Sequence, residues 1–366
     1  MIFYDGRYKD FDKTLLAMTI LICLFGLLVV YSATQAKGLE FSESYLLKQM
    51  SWMLLGILLL FIVINISYQR FVDISYLLYA LNVILLIFVL IIGKTKLGAQ
   101  RWFSIGSFAF QPSEFIKINL ILALSGYVGS RKETISKLSN LFIPFVLLSI
   151  PFLLVLMQPD LGTALILLPI FLSVLWIGGA NRKHLMSMIL VGLAALPLLW
   201  HILHGYQRQR LLVFLDPNID PLGAGYTIIQ SKIAIGSGGL LGKGWLSGTQ
   251  NQLNFLPERH TDFIFSVVGE EWGFLGATAL ILMYFLIVKR AINIASLTTD
   301  MYGKLIAGGI AVMLSLQIII NIGMTIGLMP VVGIPLPLVS YGGSSLLATF
   351  IAIGLLLNVG MRRSTF

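Results

Sequence analysis

Leu256-Pro257-Glu258-Arg259-His260-Thr261-Asp262-Phe263-Ile264-Phe265 carries a dense set of charges to the point where a polar loop enters a long apolar segment. An ionisable group at such a boundary needs a function or a partner. The apolar run that begins there extends over about 262–288, long enough to cross a hydrocarbon core, for which about 20 residues suffice. Over the whole chain of 366 residues, 57% are hydrophobic and only 11% charged, the balance of a polytopic membrane protein.

Further apolar runs lie near 14–31, 46–66, 72–93, 113–129, 141–157, 162–178, 184–203, 304–329 and 341–361. The expected fold is therefore all-α, with ten transmembrane helices in a single domain over residues 1–366. The first run follows a basic N-region, as in a signal peptide, but its length and the nine further runs make it an uncleaved first span. The single Cys23 lies within this run, which excludes disulfides within the chain and Cys-rich metal sites and leaves the thiol either packed or facing lipid.

Orientation follows from Lys and Arg in short loops. With the N-terminus inside, Arg7, Lys9, Lys13, Arg70, Arg131, Lys132, Lys137, Arg182, Lys183, Lys289, Arg290, Lys304, Arg362 and Arg363 gather on the cytoplasmic side, and both termini are cytoplasmic. The net charge of +9 is then a topology signal. The basic residues are not interleaved with aromatics in the manner of a nucleic-acid-binding surface, so no nucleic-acid partner is expected.

In that orientation the two longest non-apolar stretches, about 94–112 and 204–261, lie outside, together with Gln158-Pro159-Asp160 and residues 330–341. Chemistry is expected on that face. The 204–261 loop is rich in turn signals, such as Asp216-Pro217-Asn218, but includes an apolar piece, Tyr226 to Ile235, suited to the membrane surface. Gln111-Pro112-Ser113-Glu114 opens the fourth span and Gln158-Pro159-Asp160-Leu161-Gly162 the sixth. Proline suits a first helical turn, where its missing N–H has no partner to lose. The eighth span, at Thr261-Asp262, and the tenth, at Tyr341-Gly342-Gly343-Ser344-Ser345, also start outside. Four helix N-termini that converged there would make a surface for anions.

Glu114 and Lys117 stand one turn apart on one helix face, with Asp160, Asp262, Glu270 and Glu271 on neighbouring spans and Arg101, Arg208, Arg210, Lys232, Lys243 and Arg259 in the loops. Carboxylates mixed with cations suit a substrate that has hydroxyls to deprotonate and phosphates to hold. Each residue also has a purely structural reading. Glu114 and Lys117 could neutralise one another, Asp160 could cap its helix, and at least one of Glu270 and Glu271 is expected to be a structural hydrogen-bond partner. His201 and His204 fall at a membrane end where interfacial histidines are ordinary. Gly236 to Gly244 has the glycines and lysine of a phosphate loop but fails that pattern, because Ser237 stands at the first Gly position and Gly244 replaces Ser/Thr.

Asp262 has the strongest individual case. Thr261 is a good N-cap, which would put the Asp262 carboxylate in the first turn of an apolar helix facing the outer loops, where the helix dipole and Arg259 favour the anion and burial opposes it. The carboxylate could accept a proton from a sugar hydroxyl, or hold a divalent cation such as Mg or Mn bound to phosphate oxygens.

Asp216-Pro217 through Pro221-Leu222-Gly223-Ala224-Gly225-Tyr226, Gln230 to Gly239, Phe255 to Phe263 and Pro335-Leu336-Pro337-Leu338-Val339-Ser340-Tyr341-Gly342-Gly343 resemble the SEDS family (shape, elongation, division and sporulation), and most resemble its elongation branch. The resemblance runs over nearly the whole chain, including Gly98-Ala99-Gln100-Arg101-Trp102 and both Gln-Pro motifs. It implies a peptidoglycan glycosyltransferase that polymerises lipid II at the outer face of the bacterial inner membrane, with the aspartate at position 262 essential. It also implies an inverting transfer to the sugar 4-hydroxyl with release of undecaprenyl diphosphate, and work alongside a class B penicillin-binding protein and the rod-shape machinery. On that reading Asp262 is catalytic, and Arg101, Glu114, Lys117, Asp160, Arg210, Lys232, Lys243, Glu258, Arg259 and His260 are candidates for substrate binding. The alternative from another class is a lipid II flippase or transporter, for which broken helices and intramembrane charges would also serve. Against it, the charges gather toward one face. A scaffold without catalysis leaves the charges around Asp262 unexplained.

Overall fold

The structure, a computed structural model, describes residues 11–35, 42–96, 99–105, 108–202 and 205–362. Arg7, Lys9, Gly98, His204 and Arg363, used above for orientation, motif or placement, lie outside the described residues. Helices α1 (Lys13–Thr34), α2 (Ser42–Asn65), α3 (Tyr68–Asp73) and α4 (Ser75–Ile92) precede a small sheet, and α5 (Pro112–Ser130), α6 (Phe142–Met157), α7 (Leu161–Ile177) and α8 (Arg182–Ala194) follow it. α9 (Leu196–Ile202), α10 (Gly205–Leu215), α11 (Ala224–Ser237) and α12 (Thr249–Gln252) come next, and α13 (Ile264–Leu297), α14 (Met301–Thr325) and α15 (Gly343–Arg362) complete the chain.

Among the described residues, seven helical stretches are long and apolar enough to cross a membrane: Lys13–Thr34, Tyr45–Asn65, Ser75–Ile92, Leu138–Met157, Ile264–Leu297, Met301–Thr325 and Gly343–Arg362. The protein is a multi-pass membrane protein. The other three apolar runs fall on α5, on α7, which is apolar but shorter, and on α8 with α9, between which the 184–203 run divides.

The all-α expectation needs one amendment. A three-stranded antiparallel sheet is formed by β1 (Lys94–Lys96), β2 (Ala99–Ile105) and β3 (Phe108–Phe110), in the order β1-β2-β3, with Lys94 opposite Trp102 and Phe103 opposite Phe110. These strands satisfy their backbone groups locally and carry Arg101 to the starts of α5 and α7.

Two apolar cores organise the bundle. One is built from α1, α2, α13, α14 and α15 and the other from α4 to α7. α15 is buried along its length. Gly26 on α1 lets the 330–342 loop pack directly against the helix, since a Cβ there would lie 2.7 Å from the Leu338 carbonyl oxygen. Close backbone approach through small residues is the usual device where water supplies no drive between helices.

α13 is interrupted at Gly273, whose φ of 63° and ψ of −162° leave the helical region. A break in a spanning helix frees backbone groups that must be paired again. The Gly-rich stretch that fails as a phosphate loop does this. Lys243 N and Gly244 N donate to the carbonyls of Glu270 and Glu271 (both 3.0 Å), while Phe274 N and Leu275 N donate to those of Gly239 and Leu240 (2.8 and 3.1 Å). Gly242 is required at the crossing, because its φ is +81° and any Cβ would run into the Glu271 carbonyl.

Candidate functional site

Asp160 is 2% exposed and stands at the N-cap of α7, where its Oδ1 accepts from Thr163 N (3.2 Å) and its Oδ2 from Thr163 Oγ1 (3.0 Å). The same Oδ2 accepts from Ser113 Oγ (3.3 Å) and Gln111 Nε2 (3.4 Å) at the start of α5, while Gln111 N donates to Ser344 Oγ (2.9 Å) at the start of α15. Asp160 is therefore a cap and also a junction among helix starts. Arg101 closes the junction from β2: its Nε donates to the Gln158 carbonyl (3.0 Å), its second guanidinium nitrogen to the Pro159 carbonyl, and NH1 lies 3.7 Å from Asp160 Oδ1.

Asp262 does not begin a capped helix. α13 starts at Ile264 with Phe263 at the N-cap and no side-chain cap, and the Thr261 hydroxyl bonds to the carbonyl and Oε2 of Glu258 instead (both 3.2 Å). The local order comes from the 330–342 loop and α14. Tyr341 N donates to the His260 carbonyl (2.8 Å), Ser340 Oγ to that of Thr261 (2.6 Å), and Asn321 Nδ2 to that of Asp262 (3.0 Å). Asn321 also donates to the Ile334 carbonyl (2.7 Å), and a Cβ on Gly333 would stand 3.3 Å from Asp262 Oδ2.

The Asp262 carboxylate is half-buried and, among the described residues, accepts no hydrogen bond. Loss of water and the nearby Glu258 charge push its pKa up to about 6, while Arg210 and Arg101 pull it down and Asp160 adds a smaller push upward. These four charges share one electrostatic neighbourhood with Asp262. Arg101, Pro159, Leu161, Gln207, Arg210, Leu211 and Pro330 to Val332 line an adjoining cleft of about 320 Å³, open solvent included. Arg210, which also lines the cleft, donates to the Val331 carbonyl (3.4 Å).

The remaining candidates are placed differently. Arg259 Nε donates to the Ala33 carbonyl (2.6 Å), tying the turn to α1, and burial lowers its pKa. His260 packs edge-on against Tyr45 (5.3 Å) and beside Tyr341 (5.8 Å), and burial lowers its pKa despite Glu258. Glu258 is exposed in the left-handed region at φ 49°. Glu114 and Lys117 form a buried pair at 2.9 Å within α5. Lys243 bonds to Glu270 at 2.8 Å, Lys232 is exposed and lies over Gly327 past the end of α14, and Arg208 donates to the His201 carbonyl (2.7 Å). Asp262, Glu258, Arg101, Arg210 and Asp160 thus come together, whereas Lys243 is drawn into a structural pair. No three His, Cys, Asp or Glu side chains among the described residues gather as a metal cage. A divalent ion here would draw most of its ligands from phosphate and water.

The arrangement places a carboxylate of raised pKa within the electrostatic reach of two guanidinium groups that line a cleft, the constellation of a proton acceptor near an anion site. The family model for FtsW, RodA and SpoVE, described as cell cycle proteins, matches residues 12–365. The chain belongs to this family, the SEDS family of the motifs above. Among SEDS relatives it is 41% identical to the peptidoglycan glycosyltransferase MrdB of Escherichia coli K12 over 96% of this chain and 94% of that one. It is 36% identical to the peptidoglycan glycosyltransferase RodA of Treponema pallidum over 97% and 98%. Among solved structures, a chain of a peptidoglycan synthase complex that coordinates polymerization and crosslinking superposes with a TM-score of 0.80 at 37% identity, covering 97% of this chain and 99% of that one. The rod shape determining protein RodA of Thermus thermophilus superposes with a TM-score of 0.73 at 34% identity over 97% and 98%.

Asn321 and Ser340 escaped the sequence reading. A signal was available for Asn321, since an asparagine inside the 304–329 apolar run needs a partner as much as a charge does.

Proposed function

We infer that this SEDS chain is a peptidoglycan glycosyltransferase, the activity carried by its relatives' names, and that it polymerises lipid II into β-1,4-linked glycan at the outer face of the bacterial inner membrane. The chain is one domain of ten crossings with both termini cytoplasmic, the 204–261 segment outside, and a class B penicillin-binding protein and the rod-shape machinery as partners. Likeness to a synthase complex supports the partnership with a crosslinking enzyme.

The observation that carries the chemistry is the Asp262 carboxylate, unbonded among the described residues and within the electrostatic reach of Arg101 and Arg210. As the acceptor 4-hydroxyl oxygen forms its bond to the anomeric carbon of the donor, its proton passes to Asp262. The bond from that carbon to the diphosphate breaks on the opposite face, which inverts the configuration. Undecaprenyl diphosphate leaves with the electron pair, and Arg101 and Arg210 meet the charge that develops on it. Diphosphate is already a fair leaving group, so a carboxylate of modest basicity suffices.

The test is polymerisation of labelled lipid II by the purified chain with its penicillin-binding partner. Wild type makes long strands and Asp262→Ala does not; equal strand formation by both would sink the assignment. Translocation of lipid II in vesicles that survives Asp262→Ala would instead favour a flippase.

A further inference from the structure

Three consecutive backbone carbonyls, those of His260, Thr261 and Asp262, are each held by a donor from a different place: Tyr341 N at 2.8 Å, Ser340 Oγ at 2.6 Å and Asn321 Nδ2 at 3.0 Å. Such a run of bonds fixes the backbone where no regular secondary structure does. Ser340 is itself fixed, accepting from Leu336 N at 2.8 Å. The Asp262 carboxylate has no hydrogen bond of its own among the described residues, so its direction is inherited from this backbone.

Asn321 is the member with the most specific chemistry. It is fully buried in α14, and its amide nitrogen donates to two carbonyls at once, those of Asp262 (3.0 Å) and Ile334 (2.7 Å). Only the NH2 of an amide can serve two acceptors here, so the orientation of the group is forced. Its Oδ1 is buried without a partner among the described residues, and a buried unpaired acceptor is retained at a cost in stability. Ile334 adjoins Gly333, whose φ of +71° and missing Cβ leave room for Asp262 Oδ2. One amide thus clamps the carrier of the carboxylate to the wall that the carboxylate lies against.

We propose that Asn321 is the positioning residue of the transferase site, holding Asp262 and the 333–334 wall at the separation that sets the direction of the carboxylate beside the cleft. This rests on Asp262 being the proton acceptor. Asn321 itself touches no substrate. Its loss therefore lowers the rate of the chemical step and leaves lipid II binding in place, because misaiming a reacting group by about 1 Å costs on the order of 100-fold.

The experiment measures kcat and KM for labelled lipid II with the full chain and its penicillin-binding partner, for wild type, Asn321→Leu, Ser340→Ala, Asp262→Ala and the Asn321→Leu/Asp262→Ala double variant. Asn321→Leu is expected to lose between about 10-fold and 100-fold in kcat with KM within about twofold, and to cost nothing further once Asp262 is gone. Unchanged kcat in Asn321→Leu, or a loss that multiplies with that of Asp262→Ala, overturns the proposal. If Asn321→Leu does not fold, Ser340→Ala decides by the same criteria, since it removes the neighbouring bond on the Thr261 carbonyl. Wild-type activity in Asp262→Ala is a separate result, which removes the catalytic reading on which the proposal stands.

Discussion

Asp262 and Glu270 lie eight residues apart on the way into and along α13, and their surroundings are opposite. Glu270 is fully buried and saturated: its carboxylate accepts from Lys243 Nζ (2.8 Å), Gln250 N (3.0 Å), Thr249 Oγ1 (3.1 Å) and Asn251 N (3.4 Å). Its neighbour Glu271 accepts from Ser32 Oγ (2.5 Å) and Asn251 Nδ2 (3.4 Å). Both glutamates pin the 243–252 segment, and with it α1, onto the first part of α13. Among the described residues, Asp262 is held through its backbone and its carboxylate accepts no hydrogen bond. A carboxylate whose lone pairs are filled by its own chain is architecture, and one held by its backbone alone is available for chemistry.

The comparison can be broken by exchanging the two losses. Asp262→Asn is expected to lower polymerisation by about 10²–10⁴-fold, the usual worth of a general base, with the fold intact in a thermal melt. Glu270→Gln is expected to do the reverse. It leaves the Lys243 charge without its partner, costing about 3 kcal/mol of stability, while the fraction that stays folded keeps its rate. Loss of rate without loss of stability in Glu270→Gln would erase the distinction.

Smaller effects follow from pH. The reactive form of Asp262 is the anion, so activity should rise through a pKa of about 6 and fall below it, read as the acid limb of kcat/KM. Glu258→Gln removes a charge that raises this pKa and should move the limb to lower pH, and Arg210→Gln should move it higher. Stability runs the other way. A carboxylate whose pKa is raised on folding stabilises the fold below its unfolded value and destabilises it as pH rises through the folded one. Asp262→Asn should therefore melt higher than wild type above about pH 6 and converge with it in acid, and parallel melting curves at all pH would contradict the desolvated charge.

The candidate chemistry was legible because charge is rare in this chain, so Asp160, Asp262 and the loop arginines stand out from an apolar background. The pairing of Asp160 with Ser113 and Gln111 was half-visible in the twin Gln-Pro motifs, each a helix start. The sheet of β1, β2 and β3 was not, since short strands that pair only with one another leave no long-range pattern. The break in α13 was masked because Gly273 interrupts the helix without interrupting its hydropathy, although two adjacent glutamates within an apolar run were a sign that this stretch is not plain lipid-facing helix. Partners far apart in the chain, such as Asn321 with Asp262 or Gly239 with Phe274, are set by tertiary packing and leave no local trace.

The seal across that break has a consequence for how the molecule opens. Because Phe274 and Leu275 lend their amides to Gly239 and Leu240, and Lys243 and Gly244 lend theirs to Glu270 and Glu271, neither partner can move away without stranding the other's polar groups. The 239–244 stretch and the helix must then move as one body, and slow exchange should protect these four amides together although two lie outside any helix.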